Sequence, residues 1–124
     1  MDNHFATIQL GGADYKVSLN GHPIAEEFFA LLPFDTTVSK SGGHHYWGSI
    51  PRNLSTPDSL ATSSPKKGGL YYADHLTAIA LFYGHPGSIA PFTVYHLGDI
   101  VGDLSSLANG GGRLRLSARS QRSQ

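Results

Sequence analysis

The chain opens on strict alternation of apolar and polar positions. Ala6, Ile8 and Leu10 face one way, Thr7 and Gln9 the other, which is the period-2 pattern of a half-buried strand. Gly11-Gly12-Ala13-Asp14 supplies turn chemistry, because glycine accepts positive φ at little cost. Tyr15, Val17 and Leu19 then alternate with Lys16 and Ser18, so residues 5–19 are predicted to form a hairpin. The period changes after Asn20-Gly21-His22-Pro23. Ile24, Phe28, Leu31 and Leu32 follow at helical spacing. Pro23 suits the first helical position, where its missing N–H is not needed, and Pro33 ends the run. Glu26 and Glu27 sit near the N-terminus, where negative charge favours the helix dipole.

From Phe34 the period returns to two. Phe34, Thr36 and Val38 alternate with Asp35, Thr37 and Ser39, and Ser41-Gly42-Gly43 turns the chain into a strand over His44–Ile50. Pro51 to Gly69 is polar and lacks periodicity, which predicts a long loop. Leu70–Ala73 forms a short strand. Thr77–Tyr83 is apolar on both faces and fits a strand covered on both sides. Phe92–Leu97 is a further strand. Asp103 is placed to cap a short helical turn carrying Leu104 and Leu107, closed by Asn109-Gly110-Gly111-Gly112. Leu114 and Leu116, alternating with Arg113 and Arg115, make the last strand. About eight short strands and one principal helix predict a mainly β single domain over residues 1–117, with residues 118–124 a flexible tail. A closed barrel removes exposed sheet edges, and a two-sheet sandwich is the alternative.

Composition narrows the function. The 124 residues carry 9 Lys+Arg against 9 Asp+Glu, so nothing favours a nucleic-acid or anionic-membrane surface. Cysteine is absent, which removes disulfides, thiolate nucleophiles and iron–sulfur chemistry. The first residues lack the basic-then-apolar layout of a signal peptide, and no apolar run approaches a membrane span, so the expected location is the cytoplasm.

The seven histidines invite a metal hypothesis. Adjacent side chains on a strand point to opposite faces, so His44 and His45 are not expected to share one ion unless the strand bulges there. His75, His85 and His96 fall near predicted strand ends, where a barrel would bring them to one rim. No His-x-His, no helical His-Glu-x-x-His and no Glu after Glu27 accompanies them, and no metal or other cofactor is expected. No serine sits in a Gly-x-Ser-x-Gly elbow, although Ser49, His75 and Asp74 offer a loose triple. The glycine run 110–112 precedes a strand instead of a helix, so it lacks the dipole that cradles phosphate. The aromatic residues are more informative. In Tyr46-Trp47, Tyr71-Tyr72 and Phe82-Tyr83, one ring of each pair points inward and its neighbour outward. Outward rings beside Arg52 suggest a cleft on the barrel face, lined by Arg52, Tyr46, Tyr72, His75, Phe82 and His96, that takes a carboxylate, a carbonyl or an extended peptide.

Four segments together carry a family resemblance. They are Phe28-Phe29-Ala30-Leu31-Leu32-Pro33, Ile50-Pro51-Arg52-Asn53-Leu54-Ser55, Gly69-Leu70-Tyr71-Tyr72-Ala73-Asp74 and Ala78-Ile79-Ala80-Leu81-Phe82-Tyr83-Gly84. Over residues 6–117 the chain resembles the small bacterial and archaeal cyclophilin-like domain proteins. The resemblance implies a closed eight-stranded cyclophilin-like β-barrel with one principal helix, in a family mostly of unassigned function. It does not carry over prolyl isomerase chemistry. The Phe-His-Arg and Gln-Gly-Gly-Asp stretches of true cyclophilins are both missing, and Arg52 stands in a different context, Pro-Arg-Asn-Leu. The expectation is a non-catalytic or uncharacterised cyclophilin-like barrel that binds a small molecule or peptide. The alternatives are a weak prolyl isomerase, a hydrolase using rim histidines, or a module whose outward rings bury against a second copy.

Overall fold

The computed structural model describes residues 4–10, 13–41, 44–56, 61–85, 87–102 and 113–121. Among the described residues, nine strands and one helix follow in the order β1 (Phe5–Leu10), β2 (Ala13–Leu19), α1 (Pro23–Ala30), β3 (Phe34–Ser41), β4 (His45–Ser49), β5 (Ala61–Thr62), β6 (Gly69–Ala73), β7 (Ala78–Phe82), β8 (Val94–Val101) and β9 (Arg113–Gln121). Hydrogen-bonded neighbours run β2-β1-β9-β3-β4-β7-β6-β8, and β2 pairs back onto β8. That last pairing closes eight antiparallel strands into a barrel, as the alternation predicts. The two-residue β5 is an addition to β8, pairing Ala61 with Tyr95 and Thr62 with Val94. It lies in the stretch expected to be irregular.

The hairpin register puts Ala6 opposite Val17 and Ile8 opposite Tyr15, so the apolar set of both strands shares the inner face. Ile8, Val17, Leu19, Leu70, Ile79, Leu81, Leu97 and Leu116 fill the interior. Helix α1 starts on Pro23 and buries Ile24, Ala25 and Phe28. It plugs the end of the barrel where β2 finishes and β3 begins. Leu31 and Leu32 lie past the end of the helix and pack, half-buried, against the core. Pro33 explains the early stop, because the residue before a proline is pushed out of the α region.

Three expectations need correction or limit. Strand β9 does not end at Ser117. Ala118 pairs with Ile8 on one side and Phe34 on the other and is fully buried, so residues 118–121 are strand and not tail. A methyl group is enough to fill that inner position, and two flanking ladders hold the backbone. Strand β8 begins two residues after Phe92, which is exposed, and continues to Val101. Its second half pairs with β2, Gly98 opposite Leu19 and Val101 opposite Lys16. The predicted helical turn at 103–107 lies outside the described residues, as do the glycines at 11–12, 42–43 and 110–112. Among the described residues no helix is long and apolar enough to cross a membrane.

Candidate functional site

Strand alternation sorts the proposed lining residues onto different faces. Tyr46 and Tyr72 belong to the barrel interior with Tyr83, Tyr95 and Tyr15. Phe82 lies on the outer wall in a second apolar cluster with Tyr71, Ala73, Ala80 and Val94, against which Ile89 packs. His96 contacts Tyr71, with ring centroids 5.0 Å apart, and therefore also lies outside. Arg52 and His75 are exposed. The six residues are thus divided between interior, outer wall and rim, and no single cleft holds them.

Arg52 is held at the wrong end for a partnership with Phe82. Ile50 donates its N–H to the Thr77 carbonyl, and Asn53 Oδ1 accepts from the Thr77 hydroxyl at 2.7 Å. These bonds tie residues 50–53 to the Ser49–Ala78 end of the β4–β7 pair, whereas Phe82 sits opposite His45 at the other end. Four residues of strand, about 13 Å, separate the two ends. Thr77 itself has φ of 48°, a strained value for a β-branched residue, and these two bonds hold it there. His75 stacks on Phe92 at 5.0 Å, and its Nδ1 is 3.9 Å from Asp74, beyond hydrogen-bonding distance. His75 lies in the turn between β6 and β7, His85 follows the opposite end of β7, and His96 is within β8, so they do not share a rim. Among the described residues no group of three histidines or carboxylates is placed to hold a metal ion.

The outer wall carries a continuous strip of rings across four strands. His44 and His45 have centroids 4.8 Å apart, His45 and Phe82 4.8 Å, Phe82 and Tyr71 5.5 Å edge-on, and Tyr71 and His96 5.0 Å. His44 was expected to point away from His45, but the strand begins only at His45. His44 stands in the preceding turn, where the two-residue period does not apply, and the two Nδ1 atoms meet at 2.8 Å. One must donate its N–H and the other accept. Burial, and then the neighbouring His44, push the pKa of His45 down to about 4, so its imidazole is neutral at pH 7. Trp47 shares this face, two residues along β4, and is half-buried.

The far end of the strip is committed to structure. His96 Nε2 lies 3.0 Å from Asp99 Oδ1, and its Nδ1 faces the Asn20 amide at 3.3 Å. The same amide donates to the His96 carbonyl. A β-bulge beside Leu70 and Tyr71 sets Tyr71 opposite His96, and Tyr71 in turn accepts a hydrogen bond from the Lys66 N–H. Phe82 and Tyr71 are 2% and 4% exposed, so the strip has a covered middle and an open end at His44, His45 and Trp47. The sequence reading missed this open end. The alternation that puts Tyr46 inside also puts His45 and Trp47 outside, beside Phe82, and that was the available clue.

The interior tyrosines serve the core. The Tyr72 hydroxyl accepts from the Leu54 N–H, which draws that loop across the helix-plugged end. Tyr46 and Tyr83 lie 5.4 Å apart towards the opposite end, with the Lys40 ammonium 5.9 and 5.6 Å from their ring centres.

The fold has counterparts among solved structures. A hypothetical protein from Archaeoglobus fulgidus, solved in solution, superposes with a TM-score of 0.74 at 18% identity, covering 94% of each chain. McbB, solved in complex with tryptophan, superposes with a TM-score of 0.71 at 16% identity over 92% of this chain, which spans 44% of McbB. None of the curated proteins compared matches the chain. A family model does match, over residues 8–118, a span that runs from within β1 to within β9 and so reaches all eight barrel strands, and the chain accordingly belongs to the cyclophilin-like family.

Proposed function

We propose that this protein is a binding module that takes a small planar molecule, or a ring-bearing side chain of a peptide, against the open end of the outer strip. The observation that carries this reading is the His45 imidazole, half-buried against Phe82 and bonded to His44, on the outside of a barrel whose interior is already filled. An uncharged ring surface of this kind attracts other rings by offset stacking, and the His44–His45 pair adds a polar edge that fixes orientation. Trp47 on the same face extends the platform. McbB, of which this chain spans 44%, was solved in complex with tryptophan, a molecule of the ring-bearing class proposed here. The strip contains no arginine, and Arg52 lies at the other end of β7, so prolyl isomerisation by an Arg52–Phe82 pair gains no support from the geometry. Tyr71 and Phe82 are covered within one chain and do not need a second copy to bury them.

Chemical-shift mapping of the labelled protein against indole, imidazole and a Trp-containing dipeptide tests the proposal. Shifts concentrated at His44, His45, Trp47 and Phe82, and weakened in His45→Ala, support it. Probes that leave those four residues unmoved, or that bind His45→Ala as well as the native chain, refute it.

A further inference from the structure

His44 Nδ1 and His45 Nδ1 are 2.8 Å apart, so two nitrogens able to give a lone pair border the same small space. One proton joins them, carried by one ring and accepted by the other. A metal ion can take the place of that proton, because it accepts a lone pair from each nitrogen. The backbone fixes both residues. The His44 carbonyl accepts from the Tyr83 and Gly84 N–H groups, and His45 pairs with Phe82 on β7 and Ser41 on β3. The Phe82 ring then backs the pair, 4.8 Å from that of His45 and 6.1 Å from that of His44. Both histidines are half-buried, so an ion reaches them from solvent and no internal cavity is needed. The spacing selects the metal. Nitrogens about 2.0 Å from an ion and 2.8 Å from each other subtend about 90° at it, the cis angle of a square plane. A tetrahedral zinc ion would need them about 3.3 Å apart. Imidazole ligands also rank Cu(II) above Ni(II) and Zn(II). His45 is neutral at pH 7, so no positive charge has to leave it before an ion enters.

We propose that His44 and His45 form a surface site for Cu(II), bound through both Nδ1 atoms in cis positions of a square plane. Among the described residues no group of three histidines or carboxylates is placed to hold a metal, so water takes the other positions. Two Cu–N bonds form, two water ligands of the aqueous ion leave, and the N–H···N hydrogen bond between the rings is given up. The proton of the donating ring moves through solvent from Nδ1 to Nε2. Both rings stay neutral, no net proton is released and the copper keeps its oxidation state. The ion lies at the ring edges, whereas stacking uses the ring faces, so this site goes beyond the planar-ligand reading and does not depend on it.

The test titrates the full chain, stripped of metal with EDTA and then dialysed, with Cu(II)–iminodiacetate, a chelate that leaves adjacent positions open to a pair of imidazoles. Electron paramagnetic resonance should show two imidazole nitrogens on the copper. His44→Ala and His45→Ala should each reduce that signal to a single nitrogen or none and weaken binding on the order of tenfold or more. Circular dichroism checks that each variant is folded, and His44→Gln and His45→Gln replace any that is not. Zn(II)–iminodiacetate, run in parallel, should bind on the order of tenfold more weakly than the copper chelate. Three results overturn the proposal. They are a native signal from one imidazole only, a folded variant of either histidine that binds as well as the native chain, and zinc binding as tight as copper. The indole mapping is run on metal-free protein, so failure of the planar-ligand reading leaves the copper result standing, and the reverse.

Discussion

Replacing Gly98 with alanine attacks the seam that turns an open sheet into a barrel. Gly98 pairs with Leu19 where β8 meets β2. A Cβ built on it would lie 2.4 Å from the Ser18 carbonyl oxygen, 2.9 Å from Leu19 Cα and 3.0 Å from the Ser18 carbonyl carbon. Comfortable contact between such atoms is about 3.5 Å, so the two backbones must separate by roughly 1 Å. Nothing flexible can yield, because every clashing atom is main chain. Overpacking of this degree costs about 1–3 kcal/mol, and each ladder bond stretched with it adds about 0.5–1.5 kcal/mol. A total of about 2–4 kcal/mol follows. Spread over an unfolding entropy of about 2.1 cal/mol/K per residue, that lowers the melting temperature by roughly 8–15 °C. Thermal and urea unfolding followed by circular dichroism measure the loss. Amide hydrogen exchange should localise it to Lys16–Leu19 and Gly98–Val101. A Gly98→Ala protein that melts within about 2 °C of the native chain, with those amides still protected, would refute the closure argument.

Two further substitutions test the plug and the loop that crosses it. Phe28 is fully buried beneath α1, and Phe28→Ala should destabilise by about 3–5 kcal/mol in urea titrations, whereas a loss under 1 kcal/mol would mean that the helix does not seal the barrel. Tyr72→Phe strands the buried Leu54 N–H and should cost about 1–3 kcal/mol, with faster amide exchange at Leu54. Unchanged exchange at that amide would show that the hydroxyl is not its partner.

The sequence revealed most strands because their inner positions are large and apolar, as in Ile8, Val17, Leu81 and Leu116. It failed where small residues do the same work. Ala118 fills its inner position with one methyl, so the end of β9 looked like a polar tail. The predicted strand ends at Leu97, one residue before Gly98, whose hydrogen is required by the close approach of β2, which is knowable only once the partner strand is known. The candidate site was partly visible for a similar reason. Phe82 and His96 face outward whereas Tyr46 and Tyr72 face the interior, and alternation says only that the rings of each adjacent pair part, not which of them shares a face with a ring on another strand. The His44–His45 contact depends on where β4 begins, a boundary set by the pairing of His45 with Phe82 and Ser41 and not by local pattern.

The outer strip is a built surface only if His45 is held there out of water. In the folded protein its cation is disfavoured, with a pKa pushed from 6.5 to about 4, so the unfolded chain binds the extra proton first. His45 therefore supports folding fully above the unfolded value and progressively less as pH falls from about 6.5 towards 4. Imidazole resonances followed by NMR from pH 8 to pH 3.5 give the direct measurement. His45 should stay neutral until about pH 4, and shifts of Phe82 should accompany its titration. Titration of His45 near 6.5, with Phe82 unmoved, would mean a freely solvated side chain and would remove the platform on which the proposed function stands.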